Sequence, residues 1–264
     1  MRIATWNINS VRLRLGQALR LIDEAEPDVL CLQETKVADE QFPRQPFAER
    51  GYRHIAPAGF KGWHGVAIVS RLPLRDVQVH HWCGRRDGRH VSARLPGGVE
   101  VHTVYVPSGG DLPDPELNEK FAHKLSFLED MAAWWPDRRS PADRLVLAGD
   151  LNVAPLETDV WSHVQLVDVV SHTPVEVDRL DALRRALGWV DAVRHFVPAD
   201  RHLYTWWSYR ARDWQLSDRG RRLDHVWVTR PLVPALRAAA VLKAARDWPP
   251  KPSDHVPVVV DLDA

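Results

Sequence analysis

The sequence is poor in cysteine and lysine, carries no net charge and contains no long apolar run. Two cysteines in 264 residues, Cys31 and Cys83, cannot build a disulfide framework. Cys31 lies inside the run DVLCL and reads as a buried small hydrophobe, not a nucleophile. The longest apolar run, Ala238 to Leu242, is far too short to cross a bilayer. The opening MRIATWNINS has neither an apolar signal core nor a small-residue cleavage pattern, so a cytoplasmic protein with no membrane association is expected. The balance of 35 basic against 35 acidic residues excludes a globally basic nucleic-acid coat but leaves room for a local patch. Arginine outnumbers lysine 29 to 6. That skew fits GC-rich coding as well as bidentate phosphate binding, and the count alone favours coding. No CxxC, HExxH or Cys/His cluster is present, so zinc is not expected. Neither GxxxxGK[ST] nor GxGxxG occurs, and no GxSxG elbow surrounds Ser253.

What is present is an ordinary globular composition, 45% hydrophobic and 27% charged, with 12 tryptophans. No repeat or flexible linker divides it, and one domain over 1–264 is expected. Arg2 to Ile8 alternates like a strand. Val11 to Ala25 carries Val11, Leu15, Leu19 and Ile22 at helical spacing, with Ser10 as the expected cap and Pro27 as the stop. Further strands are expected at 28–32, 52–56, 66–70, 77–81, 90–95, 99–106, 145–148, 223–229 and 256–262. Helices are expected at 115–135 and 178–187. Strands outnumber helices, and turns such as Pro96-Gly97-Gly98 are hairpin-sized. This predicts mixed or antiparallel sheets packed face to face with helices outside.

One pattern recurs along the chain. An apolar strand runs into an acid or an amide and then a loop: IATWN at Asn7, VLCLQE at Glu34, LVLAGDLN at Asp150 and Asn152, RLDH at Asp224 and His225. A fifth cluster, Ser253-Asp254-His255, precedes the last strand. A single acid at a strand end is usually a solvated turn residue. Five such ends suggest convergence on one rim. Oxygen donors of this kind suit Mg²⁺ or Mn²⁺, and with a carboxylate base and a histidine they suit metal-assisted hydrolysis by water.

These blocks, MRIATWNINSVR, PDVLCLQETK, GDLNVAP, RRLDHVWVT and KPSDHVPVVV, resemble in order the motifs of the exonuclease III family of abasic-site endonucleases. GWHGVAIVSR, VYVPSGG, GWVDAVRH and YTWWSYR are similar as well, so the resemblance runs from Arg2 to Asp261. It implies a four-layer α/β sandwich, with two packed mixed β-sheets flanked by helices as in deoxyribonuclease I. It implies hydrolysis 5′ to abasic sites in double-stranded DNA, 3′→5′ exonuclease activity and removal of blocked 3′ ends, by a monomer using Mg²⁺ or Mn²⁺. By the same resemblance, Glu34 is the principal metal ligand, with Asn7 and Asp254 completing its shell. Asp150 orients or deprotonates the attacking water, and Asn152 stabilises the oxyanion. His255 contacts the scissile phosphate, Asp224 fixes the histidine's tautomer and charge, and Tyr105 binds phosphate and helps activate the nucleophile.

YTWWSYRARDWQLSDRGRRLD, from Tyr204 to Asp224, interleaves aromatic residues with arginines. Read alone, it is equally a small aromatic core or a groove for DNA. The resemblance implies the groove, with Trp206 and Leu223 lining the pocket for an extruded sugar and Tyr209, Arg210 and Arg221 beside it. Arg221 stands where some relatives have a large apolar residue, His64 where Asn or Tyr is common, and Gly84 to Arg89 is basic. Trp134-Trp135 reads as core and His80-His81 as a solvated strand end, while Asp191, Arg194 and His195 are candidate braces. The competing reading is a phosphatase or phosphodiesterase of the same fold acting on a small phosphorylated substrate. A catalytically dead DNA-binding scaffold is disfavoured because every motif position is filled.

Overall fold

In the computed structural model, which describes all 264 residues, the strands are β1 (Arg2–Asn7), β2 (Val29–Gln33), β3 (His54–Phe60), β4 (Trp63–Ser70), β5 (Arg75–Trp82), β6 (Arg85–Arg94) and β7 (Glu100–Tyr105). They continue as β8 (Leu145–Asp150), β9 (Val190–Asp191), β10 (Trp206–Trp207), β11 (Gly220–Arg221), β12 (Asp224–Val228), β13 (Leu236–Val241) and β14 (Val258–Leu262). Two six-stranded sheets form, in the orders β13-β14-β1-β2-β4-β3 and β5-β6-β7-β8-β12-β9. Their facing sides share a core that includes Ile3, Cys31, Ile68, Val91, Val101, Val146, Val226 and Val260. The Leu15–Ala25 helix covers the outer face of the first sheet through Ala18, Leu21 and Ile22. Helices Glu119–Arg138 and Pro174–Ala186 cover the second through Phe127, Leu128, Met131, Leu180 and Leu183. This is the expected four-layer sandwich.

The topology places the site. Each sheet has one parallel pair, β1 with β2 and β7 with β8. Parallel neighbours need a crossover, and a long helix supplies it in each case. Asn7 pairs with Gln33, just before Glu34, and Tyr105 pairs with Asp150. The carboxyl ends of four strands from two sheets therefore reach one rim. Strands β12 and β14 run antiparallel to β8 and β1, so their amino ends, at Asp224 and just after His255, arrive at the same rim.

Helix boundaries differ from expectation for local reasons. The first helix begins at Leu15, not Val11. The Arg14 guanidinium folds back onto the carbonyls of Ile8 and Asn9, and Ser10 contributes only a long bond to the Leu13 amide. The second spans Glu119–Arg138 because Asn118 caps it, and the third starts at Pro174 under a Thr173–Glu176 capping box. Strand β13, an edge strand, is one the hydropathy pattern missed.

His80 departs from expectation. His81 is exposed, but His80 is partly buried, with its Nε2 2.8 Å from Ser92 Oγ. Its ring lies 4.3 Å from that of His90, which in turn is 2.8 Å from His102 in its Nε2–Nδ1 contact. Three adjacent strands thus assemble a histidine cluster that no sequence motif announces, beside Trp82, Trp134 and the buried Trp135. Glu100 and Arg139 flank it. Burial, then the charges of His102 and Arg139, pushes His80 down to about 3, and His90 and His102 also lie below the ordinary value. A folded chain that refuses protons accepted by the unfolded chain loses stability as pH falls below about 6.5. His80→Asn is therefore expected to lose less stability than wild type between pH 7 and pH 5 in urea unfolding. Equal losses would remove the cluster from the acid sensitivity.

Candidate active site

At the rim, Asp150 ends β8, Asp224 opens β12 and His255 follows the Ser253-Asp254 turn. All three are buried, with exposures of 1%, 0% and 5%. His255 Nδ1 lies 2.8 Å from Asp224 Oδ2, and its Nε2 lies 3.7 Å from Asp150 Oδ2. Burial disfavours the charged imidazole, but Asp224 and Asp150 outweigh it and raise its pKa. Burial raises Asp150 as well, with Asp224 and Glu34 adding to the effect and His255 opposing it. Thr205 completes the support. Its hydroxyl donates to Asp224 Oδ2 at 2.6 Å and accepts the amides of Leu223 and Asp224.

Asn7 Nδ2 clasps two carboxylates, Glu34 Oε1 at 3.0 Å and Asp150 Oδ2 at 2.9 Å. Tyr105 donates to the same Glu34 oxygen at 2.8 Å, and Lys36 pairs with Glu34 Oε2 at 2.7 Å. Burial opposes ionisation of Glu34, yet Lys36 and the Asn7 amide hold it below its ordinary value. Tyr105 is raised well above 10 by burial and by the charges of Glu34 and Asp150, so at neutral pH it is a hydroxyl donor. In this structure its proton is committed to Glu34.

Glu34 and Asn152 both adopt left-handed backbone, at φ 51° and 54°. That conformation is costly for a glutamate and marks local strain at the rim. Gly149, at φ 151°, allows β8 to approach β7 closely, because a Cβ there would lie 2.0 Å from the Val104 carbonyl.

The sequence-derived residues are not all equivalent in space. Asn152 Nδ2 is spent on the Val106 carbonyl (2.8 Å) and Asp150 Oδ2 (3.1 Å), so in this state it braces Asp150. Asp254 bonds Asn9 at 3.2 Å and the Trp206 indole at 2.9 Å. Trp206, Arg210, Arg221 and Leu223 line one groove of about 610 Å³ with Glu34, Asp150, Asn152 and His255. Tyr209 does not join that lining: its hydroxyl donates to the Pro252 carbonyl and accepts from Arg14. Asp191 and Arg194 prove to be braces, joined through Asp159 and Arg222 in a buried ion network. His64 sits 2.9 Å from Arg89 on the other side of Tyr105.

Several supporting residues carried no sequence signal. Trp161 and Leu166 complete an apolar cup with Trp206 and Leu223. Lys124, fully buried, pairs with the equally buried Glu176 and donates to the Asn152 carbonyl at 2.7 Å and the Ser108 carbonyl at 3.3 Å. It ties both site loops to the helix layer. A helical lysine reads as a solvated face, and only its position against Glu176 shows otherwise.

The donors facing the rim are oxygens, and one amide spans two carboxylates where a cation would satisfy both. That arrangement fits a hard divalent ion held by Glu34 and neighbouring oxygens. With a charged histidine and a carboxylate on a groove, the rim defines a phosphoester hydrolase.

Comparison with known proteins agrees. The chain belongs to the Endonuclease/Exonuclease/phosphatase family, whose model matches residues 4–255. It is 27% identical to exodeoxyribonuclease III of Haemophilus influenzae over 98% of both chains. It is 28% identical to recombination repair protein 1 of Drosophila melanogaster over 98% of its own length, spanning 37% of that protein. Among solved structures, an AP endonuclease from Archaeoglobus fulgidus superposes with a TM-score of 0.92 at 32% identity, covering 100% of both chains. The 3′ phosphatase NExo from Neisseria, bound to a product DNA hairpin, gives 0.90 at 32% identity, again over 100% of both. Within its family, the protein is therefore a nuclease of the exodeoxyribonuclease III and AP endonuclease type.

Removing Lys124 alone strands Glu176 as an unpaired buried charge. Lys124→Met is expected to cost about 3–5 kcal/mol in urea unfolding, and a double variant with Glu176→Leu to recover most of it. A single variant as stable as wild type would contradict the bracing role.

Proposed function

We propose that the protein hydrolyses phosphodiesters in damaged duplex DNA, 5′ to abasic sites and at blocked or recessed 3′ ends, with Mg²⁺ or Mn²⁺. The observation that carries this reading is the buried Asp224–His255–Asp150 line opening onto a groove with an apolar cup and arginines. Glu34 would hold the divalent ion, with Asn7 and Asp254 beside it. The bound ion would supply charge neutralisation at the phosphate. Asp150 takes or orients the proton of the attacking water. His255, kept positive between two acids, faces the negative phosphate, and Asn152 joins it once its amide is released from Asp150. Thr205 and Asp224 fix the imidazole in place, leaving Nε2 directed at the substrate side. The cup of Trp161, Leu166, Trp206 and Leu223 offers apolar surface to a sugar without a base and no base-edge hydrogen bonds. All these groups come from one chain, so the proposed site does not need a second copy. The free cysteines are compatible with a reducing, cytoplasmic setting.

The test uses purified protein and three duplexes, bearing an internal abasic site, a recessed 3′-hydroxyl and a 3′-phosphate, each with Mg²⁺, Mn²⁺ or EDTA. Cleavage that needs metal is expected. Hydrolysis of small phosphomonoesters with all three duplexes intact would favour the small-substrate reading instead. Asp150→Asn is expected to lower kcat by about 10²–10⁴-fold with little change in DNA affinity, because a base acts in the transition state. Glu34→Gln is expected to weaken metal dependence at least ~10-fold. A Glu34→Gln enzyme with an unchanged Mg²⁺ titration would remove that residue from the ligand set.

A further inference from the structure

Arg221 is a basic side chain of the cup that pairs with no carboxylate. Its neighbour Arg222 is buried and fully matched, by Asp159 at 2.8 and 3.0 Å and by Asp191. Arg221 is held differently. A single nitrogen, Nη1, donates to the Val170 carbonyl at 2.8 Å and to Ser171 Oγ at 2.7 Å. The guanidinium lies 5.6 Å over the Trp206 ring, and its backbone pairs with Trp206 across β10–β11. No carboxylate forms an ion pair with it. The acid whose charge it feels, Glu176, is already committed to Lys124. Burial accordingly disfavours its charged form.

A partly buried, unpaired cation in an apolar cup is unfavourable until an anion completes it. Two neutral oxygens orient it without neutralising it. Its Nε and Nη2 form no bond to the protein, and the residue lines the same groove as His255 and Asp150. The missing anion therefore comes from whatever enters the groove.

An internal phosphodiester brings one negative charge and a following sugar, which must share the cup with the guanidinium. A 3′-terminal phosphomonoester has no following sugar and carries up to two charges near neutral pH. The space that a sugar would fill is then free, and the second charge has a partner.

We propose that Arg221 makes this groove a subsite for 3′-terminal phosphate, favouring removal of a 3′-phosphate over incision at internal abasic sites. The inference rests on the nuclease reading above. In the reaction, the oxygen of water bonds to phosphorus as the bond from phosphorus to the 3′-oxygen breaks. One water proton passes to the base, the 3′-oxygen ends protonated, and the products are a 3′-hydroxyl and inorganic phosphate. Arg221 binds the departing phosphate's extra charge and takes no part in bond making. Ser171 is then a positioning residue, because it acts only through the guanidinium.

The experiment compares kcat/KM on a nicked duplex ending in a 3′-phosphate with that on a matched duplex bearing an internal abasic analogue, at one salt concentration. Arg221→Leu is expected to lower the ratio of phosphate release to abasic incision by about 10- to 100-fold, the scale of a lost charge-assisted hydrogen bond. Arg221→Lys is expected to recover part of it, and circular dichroism guards against misfolding. Inorganic phosphate is the second probe: its inhibition constant against abasic incision is expected to rise in Arg221→Leu and not in His81→Ala, an exposed residue outside the groove. Equal falls on both substrates, or a ratio unchanged in both Arg221 variants, would overturn the assignment. Failure of wild type on every duplex would instead overturn the nuclease reading on which it depends.

Discussion

The rest of the site depends on one electrostatic arrangement, an imidazole held between two buried carboxylates. Neither acid alone is comfortable away from water, and the histidine is not either. Together they are stable because each charge meets its opposite, Asp224 at 2.8 Å and Asp150 at 3.7 Å from the two ring nitrogens. Thr205 takes up part of the remaining capacity of Asp224, whose Oδ1 has no partner. The consequence is a positive group presented at the floor of a groove without a flexible side chain. A phosphate entering there meets charge already oriented, so no reorganisation is needed when negative charge builds in the transition state.

Topology makes that arrangement possible. Each sheet contributes one parallel pair, and a parallel pair delivers two carboxyl ends to the same edge. The antiparallel strands β12 and β14 bring their amino ends to meet them. Polar side chains from six chain segments therefore meet through a chain of contacts between 2.8 and 3.7 Å while their strands stay in the core. The helix layer stiffens the loops from behind, through Lys124 on the Asn152 carbonyl. Strain at Glu34 and Asn152 is tolerable because sheet, amide clasp and buried lysine fix both ends.

Much of this was legible in the chain. Strand ends at Asn7, Glu34, Asp150 and Asp224 stand out because apolar runs stop abruptly at polar residues. The motif order carried the four-layer fold, which strand counting alone did not select. Other features were hidden because they depend on tertiary partners. Lys124 and Glu176 lie 52 positions apart, and each looks like a surface charge on its own helix. The histidine cluster spreads over three strands, each with an unremarkable histidine. Tyr209 sits in an aromatic and basic segment, yet its hydroxyl turns to Pro252, because local composition does not fix which face of a loop meets the groove. Strand β13 was missed because Ala238, Ala239 and Ala240 have weak strand preference and form an edge, where pairing with β14 decides the conformation.

The measurement that bears most directly on the central arrangement is single-turnover cleavage of a damaged duplex by Asp224→Asn. An amide keeps the shape of the carboxylate and removes its charge, so the imidazole loses one of the two acids that hold it positive and oriented. The account predicts a rate lower by about 10²–10⁴-fold, with DNA affinity close to wild type and the native fold retained by circular dichroism. A rate within a few-fold of wild type would contradict it, and His255 would then be a buried structural histidine.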